Sequence, residues 1–112
     1  MDRANATSKK IAALNDALRQ RGTGGRIMLT QGVQALGKAV VNDIIAKVRN
    51  FDTFTADNDP YGERDFGSIK HDGLKVLWKI DYYDNDLQYA SPDPTDPTKT
   101  CRVMTIMLAD EY

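Results

Sequence analysis

The chain has 112 residues, of which 41% are hydrophobic, and its formal net charge is −1. This length is typical of one domain with its own core, so we expect residues 1–112 to form a single domain. One cysteine, Cys101, and one histidine, His71, exclude a disulfide bond within the chain and disfavour a closed Cys/His zinc site. No secretory signal or long apolar stretch is visible, which predicts a cytoplasmic protein that does not contact a membrane.

Charge is distributed unevenly along the chain. Residues 1–50 carry nine Lys or Arg and three Asp, whereas residues 51–112 carry six Lys or Arg and thirteen Asp or Glu. Such asymmetry can indicate a surface for a partner. It is equally compatible with two halves that lie side by side and neutralise each other.

Helical spacing dominates the first half of the chain. Thr7 or Ser8 is a good N-cap, and the apolar residues that follow recur at helical spacing. This pattern predicts a helix over 8–21, and Gly22 is suited to end it. We expect residues 1–7 to be a disordered tail. The sequence then predicts a short strand over 26–30, an irregular piece between Gly32 and Gly37, and a second helix over 38–50.

The second half predicts mainly strands. Residues 51–67 contain four aromatic residues, so we expect an ordered loop rather than a solvated linker. Strands are predicted over 67–71, 74–83 and 102–108, with Asp72 and Gly73 as a hairpin turn and a further short strand possible over 87–90. Both faces of 102–108 are apolar, which favours a central position. The predicted fold is α+β, with two helices packed on one face of a mainly antiparallel sheet of four to five strands.

The acidic loop is the best candidate for chemistry. Four carboxylates (Asp57, Asp59, Glu63 and Asp65) lie close together around Gly62, as the oxygen ligands of Mg²⁺ or Ca²⁺ do. Counted from Asp57, the loop matches a helix–loop–helix calcium site at positions 1, 3 and 6. It lacks the carboxylate at position 12, where Ser68 stands. The alternative is that these side chains cap turns and pair with basic residues.

Segment 78–86 is a second candidate. Strand alternation places Lys79, Asp81 and Tyr83 on one face, where they could transfer protons. No nucleophile or metal ligand is spaced to assist them, so a solvated face is the simpler interpretation.

Other chemistries have weaker support. The glycines at 22–25 close a helix and open a strand, the reverse of a phosphate-binding loop. His71 is expected at an exposed strand end and Cys101 in a packed strand, although a Cys/His pair across two strands stays possible. Basic residues near the first helix carry no recognised nucleic-acid-binding signature, so direct nucleic-acid binding is not expected.

Four stretches of this sequence resemble an uncharacterised bacterial family, the domain of unknown function numbered 3768. They are Leu14–Arg19 with the Gly-Thr-Gly-Gly-Arg that follows, Asp57–Glu63 with Asp65–Gly67, Trp78–Asp84, and Ser91–Pro94 with Arg102–Tyr112. The resemblance covers roughly residues 8–112. It implies no established activity. It does imply a setting on plasmids and other mobile elements, near genes suspected of countering host defences.

Two hypotheses follow. The first is a non-enzymatic protein, without a cofactor, that presents an acidic, aromatic-bearing surface to a basic protein partner. The partner would be a nucleic-acid-binding defence complex, making the protein an anti-restriction or anti-CRISPR factor. The expected contact residues are Asp57, Asp59, Tyr61, Glu63, Asp65, Asp81, Tyr83, Asp84 and Asp86. The second is a phosphodiesterase-like enzyme that binds Mg²⁺ or Ca²⁺ through Asp57, Asp59, Glu63 and Asp65. A homodimer built on an apolar strand face or edge is a third possibility.

Overall fold

The computed structural model describes residues 5–112, which form three helices and four strands. In chain order these are α1 (Ala6–Arg21), β1 (Arg26–Leu29), α2 (Gln31–Gln34), α3 (Lys38–Arg49), β2 (Phe66–His71), β3 (Leu74–Tyr83) and β4 (Cys101–Leu108). Short 3-10 turns at Pro97–Lys99 and Ala109–Glu111 flank β4. The predicted α+β class is confirmed, with four strands in the described residues.

The four strands form one sheet in the order β1-β4-β3-β2. The hairpin of β2 and β3 and the pair of β3 and β4 are antiparallel, whereas β1 runs parallel to β4. At the hairpin turn, Asp72 and Gly73 both have positive φ angles, of 48° and 82°, as an Asp-Gly turn between twisted strands requires. β4 lies between β1 and β3, which confirms the central position predicted from its two apolar faces.

The first helix begins earlier than its sequence pattern suggested. The Asn5 side chain accepts a hydrogen bond from the Ser8 backbone amide at 2.9 Å, so Asn5 is the N-cap rather than Thr7 or Ser8. The predicted end is confirmed, because Gly22 has a φ of 72° and its amide donates to the Leu18 carbonyl. Of the expected disordered tail, residues 1–4 lie outside the described residues, and residues 6 and 7 are helical.

One sheet face carries the hydrophobic core. Leu18 from α1 and Ile44 from α3 are fully buried against Trp78 of β3 and Ile106 of β4. Both long helices therefore cover the same face of the sheet, as predicted. The helices formed by residues 5–112 include none that is long and apolar enough to cross a membrane.

The other sheet face is not covered by a helix. Strand pairing places Lys79, Thr105 and Met28 on it, and Met28 is 53% exposed. At one end of this face, the rings of Phe66 and Tyr112 meet at 6.3 Å between centroids. The C-terminal segment thus shields one end of the face and leaves the rest open.

Two predicted segments differ from the structure. Residues 87–90 form no strand, only a single bridge between Ala90 and Tyr83, so the optional fifth strand was wrong. The piece predicted as irregular contains α2, which begins after the N-cap Thr30. Glu111 accepts hydrogen bonds from the Thr30 hydroxyl at 2.6 Å and from the Gly32 amide at 3.1 Å. A contact between residues so far apart in the chain leaves no local sequence pattern.

Candidate functional site

The loop between α3 and β2 packs against the core through two of its three aromatic residues, and the fourth aromatic residue of the predicted loop, Phe66, begins β2. The Phe51 and Phe54 rings contact the Trp78 ring edge-on, at 5.5 and 6.2 Å between centroids. These contacts confirm that residues 51–65 form an ordered loop. Tyr61 is 72% exposed instead, at the far side of the same loop.

A buried arginine connects this loop to α1. Arg19 is 1% exposed, and its guanidinium lies 5.2 Å from the centre of the Phe54 ring and 5.3 Å from that of Trp78. It also pairs with Asp16 at 2.9 Å, and the second Asp16 oxygen pairs with Arg64 at 3.1 Å. The desolvated charge of Arg19 is balanced by Asp16 and two aromatic faces.

A second buried polar cluster joins five segments of the chain, namely α1, β3, β4 and the loops before β2 and before β4. Asn15 donates through its Nδ2 to the Tyr82 hydroxyl at 2.8 Å and to the Glu63 carbonyl at 2.9 Å. Its Oδ1 accepts from the Arg102 Nε at 2.7 Å, and Arg102 also donates to the Pro94 carbonyl. The Tyr82 hydroxyl in turn donates to the Glu63 carboxylate at 2.9 Å. Both loops at this end of the sheet are therefore tied to β3, β4 and α1.

Burial determines the protonation of this cluster. It raises the pKa of the Tyr82 phenol far above its ordinary value of 10.0 and lowers the pKa of the Arg102 guanidinium. The phenol is therefore a neutral hydrogen-bond donor at physiological pH and is not available as a base. The cluster positions the backbone and contributes no evident acid–base chemistry.

The four carboxylates of the acidic loop have different roles. Asp59 accepts a hydrogen bond at 3.0 Å from the amide of Arg64, whose φ is 55°. The Glu63 carboxylate accepts a hydrogen bond from the Tyr82 hydroxyl. Asp57 is exposed, and its side chain makes no hydrogen bond with residues 5–112. Asp65 is half-buried, and this burial raises its pKa, with the nearby Glu63, Asp59 and Asp81 adding to the effect.

The structure does not gather these carboxylates into a metal centre. Within residues 5–112, no three His, Cys, Asp or Glu side chains are placed to hold a metal ion together. No three of the predicted ligands Asp57, Asp59, Glu63 and Asp65 meet this condition, whereas a hard cation binds several oxygens at one point. Turn capping, the alternative interpretation of these residues, accounts for Asp59.

The candidate residues on β3 and in the turn after it lie towards the end of the sheet at which β2 begins and β3 ends. Lys79 and Asp81 form an ion pair at 3.0 Å on the open face, and this hydrogen bond raises the pKa of Lys79. Tyr83 is half-buried on the same face. After β3, Asp84 accepts a hydrogen bond at 3.0 Å from the Gln88 amide, which closes the turn.

The turn after β3 also carries exposed groups. Asp86 is exposed and has no hydrogen bond within the described residues, and Tyr89 is 73% exposed. We call the two loops 57–65 and 84–90 together the acidic end. Tyr82 lies near the end of β3, two residues before the second loop, and its hydroxyl bonds to Glu63 in the first loop.

The remaining sequence candidates are separated from one another. His71 is buried rather than exposed, with its Nδ1 3.2 Å from the Lys47 ammonium and its Nε2 3.5 Å from Asp72. Strand pairing places His71 at the hairpin end of β3 and Cys101 opposite Tyr83 at the other end. The possible Cys/His pair was therefore wrong.

The family model for the protein of unknown function DUF3768 matches residues 29–111, well over half of the chain. The chain belongs to this family. No curated protein and no solved structure matches it. The DUF3768 match contains the whole acidic end and begins after α1, so Asn15, Asp16 and Arg19 lie outside it.

Sequence reasoning missed the buried polar residues of this DUF3768 member. Asn15 and Arg19 follow Ile11 at intervals of four, which places them on the buried face of α1. Arg102 alternates with Met104 and Ile106 on the core face of β4. These spacings were visible, but the sequence analysis gave the three polar side chains no place in the core. The hydrogen-bond partners of Asn15 are 48 to 87 residues away along the chain and could not be identified locally.

Proposed function

We propose that this protein is a non-enzymatic binding module that uses the acidic end to contact a basic protein surface. One observation carries the proposal. Tyr61 and Tyr89 are 72% and 73% exposed on two loops at the same end of the sheet, each in a loop with an exposed carboxylate, Asp57 or Asp86. Tyrosine is among the residues that contribute most to binding energy at protein interfaces.

The loops that carry these groups are held in place by internal bonds. Asp59, Glu63 and Asp84 use their carboxylates within the protein, and Phe54 packs in the core. A loop ordered before binding loses less conformational entropy on association. This supports a contact surface formed by Tyr61, Tyr89, Asp57 and Asp86, with the other carboxylates as its framework.

The partner that fits this surface is a protein with an exposed basic patch, such as a groove that binds nucleic acid through Lys and Arg. We include in the proposal a cytoplasmic defence complex of the restriction or CRISPR type, as the family resemblance implies. Charge complementarity would speed association and select among partners more than it would add affinity.

The test is capture of partners from a host lysate, compared between matched variants. Asp57→Lys/Asp86→Lys and Tyr61→Ala/Tyr89→Ala should each lose a partner that the wild type retains, and added double-stranded DNA should displace it. Asp43→Lys/Asp110→Lys reverses two exposed charges outside the acidic end and should retain the partner. Asp59 and Asp65 are unsuitable for this test, because the first caps a turn and the second is half-buried.

The opposite result would be equally clear. If both double variants still captured the partner, the acidic end would not be the binding surface. The same conclusion would follow if the Asp43/Asp110 control lost the partner to the same extent as the double variants.

A further inference from the structure

A surface groove of about 720 Å³ lies between α1, α3 and the start of the loop after α3, and none of its lining residues belongs to the acidic end. Its apolar floor contains Ile45 and Phe51, both half-buried. Its polar walls come from three segments and consist of Gln20, Asn42, Arg49, Asn50 and Asp52. The volume lies in the range of ligand sites, roughly 300–1,000 Å³.

The polar groups of the groove are not used within the protein. Gln20, Asn42, Arg49 and Asn50 make no side-chain hydrogen bond or ion pair with residues 5–112, and Asp52 accepts only a long one, 3.4 Å, from Thr53. In the acidic end, by contrast, three of the six carboxylates, Asp59, Glu63 and Asp84, accept hydrogen bonds within the protein. The groove therefore presents free donors and acceptors around an apolar floor.

The charges of the groove define what it can hold. Arg49 and Asp52 have opposite charges and do not pair with each other. Arg49 is the last residue of α3, whose C-terminal carbonyls add negative partial charge nearby. A polyanion or a free phosphate is therefore disfavoured, whereas a ligand with one acidic and one basic group matches both side chains.

The three carboxamides match a peptide main chain. Each carboxamide of Gln20, Asn42 and Asn50 donates and accepts hydrogen bonds, as every peptide unit does. All five polar wall residues are exposed, so the groove is open along its length. An open groove suits an extended chain, whereas small-molecule sites usually enclose most of the ligand surface.

We propose that this groove binds a short extended peptide segment of a partner protein. An acidic side chain of the peptide pairs with Arg49, a basic one pairs with Asp52, and an apolar one lies over Ile45 and Phe51. This site does not depend on the acidic end, so either proposal can fail without the other.

The test is a titration of the ¹⁵N-labelled protein with two capped tetrapeptides, acetyl-Glu-Leu-Ala-Lys-amide and acetyl-Lys-Leu-Ala-Glu-amide. One order should shift the amide signals of Ala46, Asn50 and Phe51 more than the other at low millimolar peptide. Arg49→Gln should weaken that binding about two- to fivefold, the loss expected for one exposed ion pair. Arg21→Gln removes an exposed arginine outside the groove lining and should leave the affinity unchanged.

A charge swap gives the sharpest result. The double variant Arg49→Asp/Asp52→Arg should prefer the opposite peptide order, with a circular dichroism spectrum equal to that of the wild type. The proposal is overturned if neither peptide shifts these amides, if Arg21→Gln weakens binding as much as Arg49→Gln, or if the swapped protein keeps the original preference.

Discussion

Asn15 and Arg102 are 87 positions apart in the chain and are joined by a hydrogen bond of 2.7 Å between two almost fully buried side chains. The bond links α1 to the core face of β4. The same asparagine also binds Tyr82 and Glu63. Two strands, β3 and β4, and the loop that contains Glu63 therefore depend on one carboxamide.

Replacement of Asn15 by Ala should destabilise the protein strongly. The change leaves the Arg102 Nε and the Glu63 carbonyl without their partner in a buried site, and unpaired buried charge is costly. We expect a loss of about 2–4 kcal/mol in the free energy of unfolding, measured by urea denaturation. Asn42→Ala, at an exposed position of α3, should change it by less than about 0.5 kcal/mol. Equal losses in the two variants would contradict the role of Asn15.

Replacement of Tyr82 by Phe should change the stability at alkaline pH. Because burial raises the pKa of Tyr82 in the folded state, the folded protein keeps a proton that the unfolded chain releases above pH 10. The contribution of Tyr82 is therefore fully present below pH 10 and is lost as the pH rises above it.

The measurement is absorbance at 295 nm against pH, combined with circular dichroism. In the wild type, ionisation of Tyr82 should coincide with unfolding, and this phase should be missing from Tyr82→Phe. The exposed variant Tyr89→Phe should keep it. At neutral pH, Tyr82→Phe should lose about 1–2 kcal/mol through the broken bonds to Asn15 and Glu63. Ionisation of Tyr82 without loss of structure would refute the burial argument.

A methyl group at Gly67 should disturb the core. A Cβ added at Gly67 would overlap the indole of Trp78, which lies directly over the glycine. Trp78 is fully buried and cannot move away freely. Gly67→Ala should therefore cost about 1–3 kcal/mol and alter the tryptophan fluorescence. Ser68→Ala, one position on and on the exposed face of β2, serves as the control and should do neither.

Replacement of Glu111 by Gln should weaken the attachment of the C-terminal segment. The carboxylate accepts bonds from Thr30, Gly32 and Leu108, which lower the pKa of Glu111 below its ordinary value of 4.5. A lowered folded-state pKa contributes stability above the unfolded value, and this contribution is lost as the pH falls through the folded value.

The prediction for Glu111 concerns the melting temperature at two pH values. Glu111→Gln should melt at a lower temperature than the wild type at pH 7, and the difference should shrink below about pH 4. Asp110→Asn, its exposed neighbour, should show no such pattern. A difference that persists unchanged at low pH would exclude the carboxylate as its cause.

The sequence by itself determined the local elements. Apolar spacing located α1, α3 and the three long strands, Gly22 marked the end of α1, and Asp72-Gly73 marked the hairpin. The two apolar faces of β4 predicted its central place. These features depend on neighbouring residues, whose conformational preferences act within a few positions of the chain.

Only the tertiary structure decided what the polar residues do. It brought Asn15, Glu63, Tyr82 and Arg102 into one buried cluster, and it engaged two of the carboxylates suggested as metal ligands, Asp59 and Glu63, in hydrogen bonds within the protein. It also buried His71 beside Lys47. The physical reason is that a charged or polar side chain is stable in the interior only when it meets its partner. That partner is supplied by strand order and helix packing, which no local pattern records.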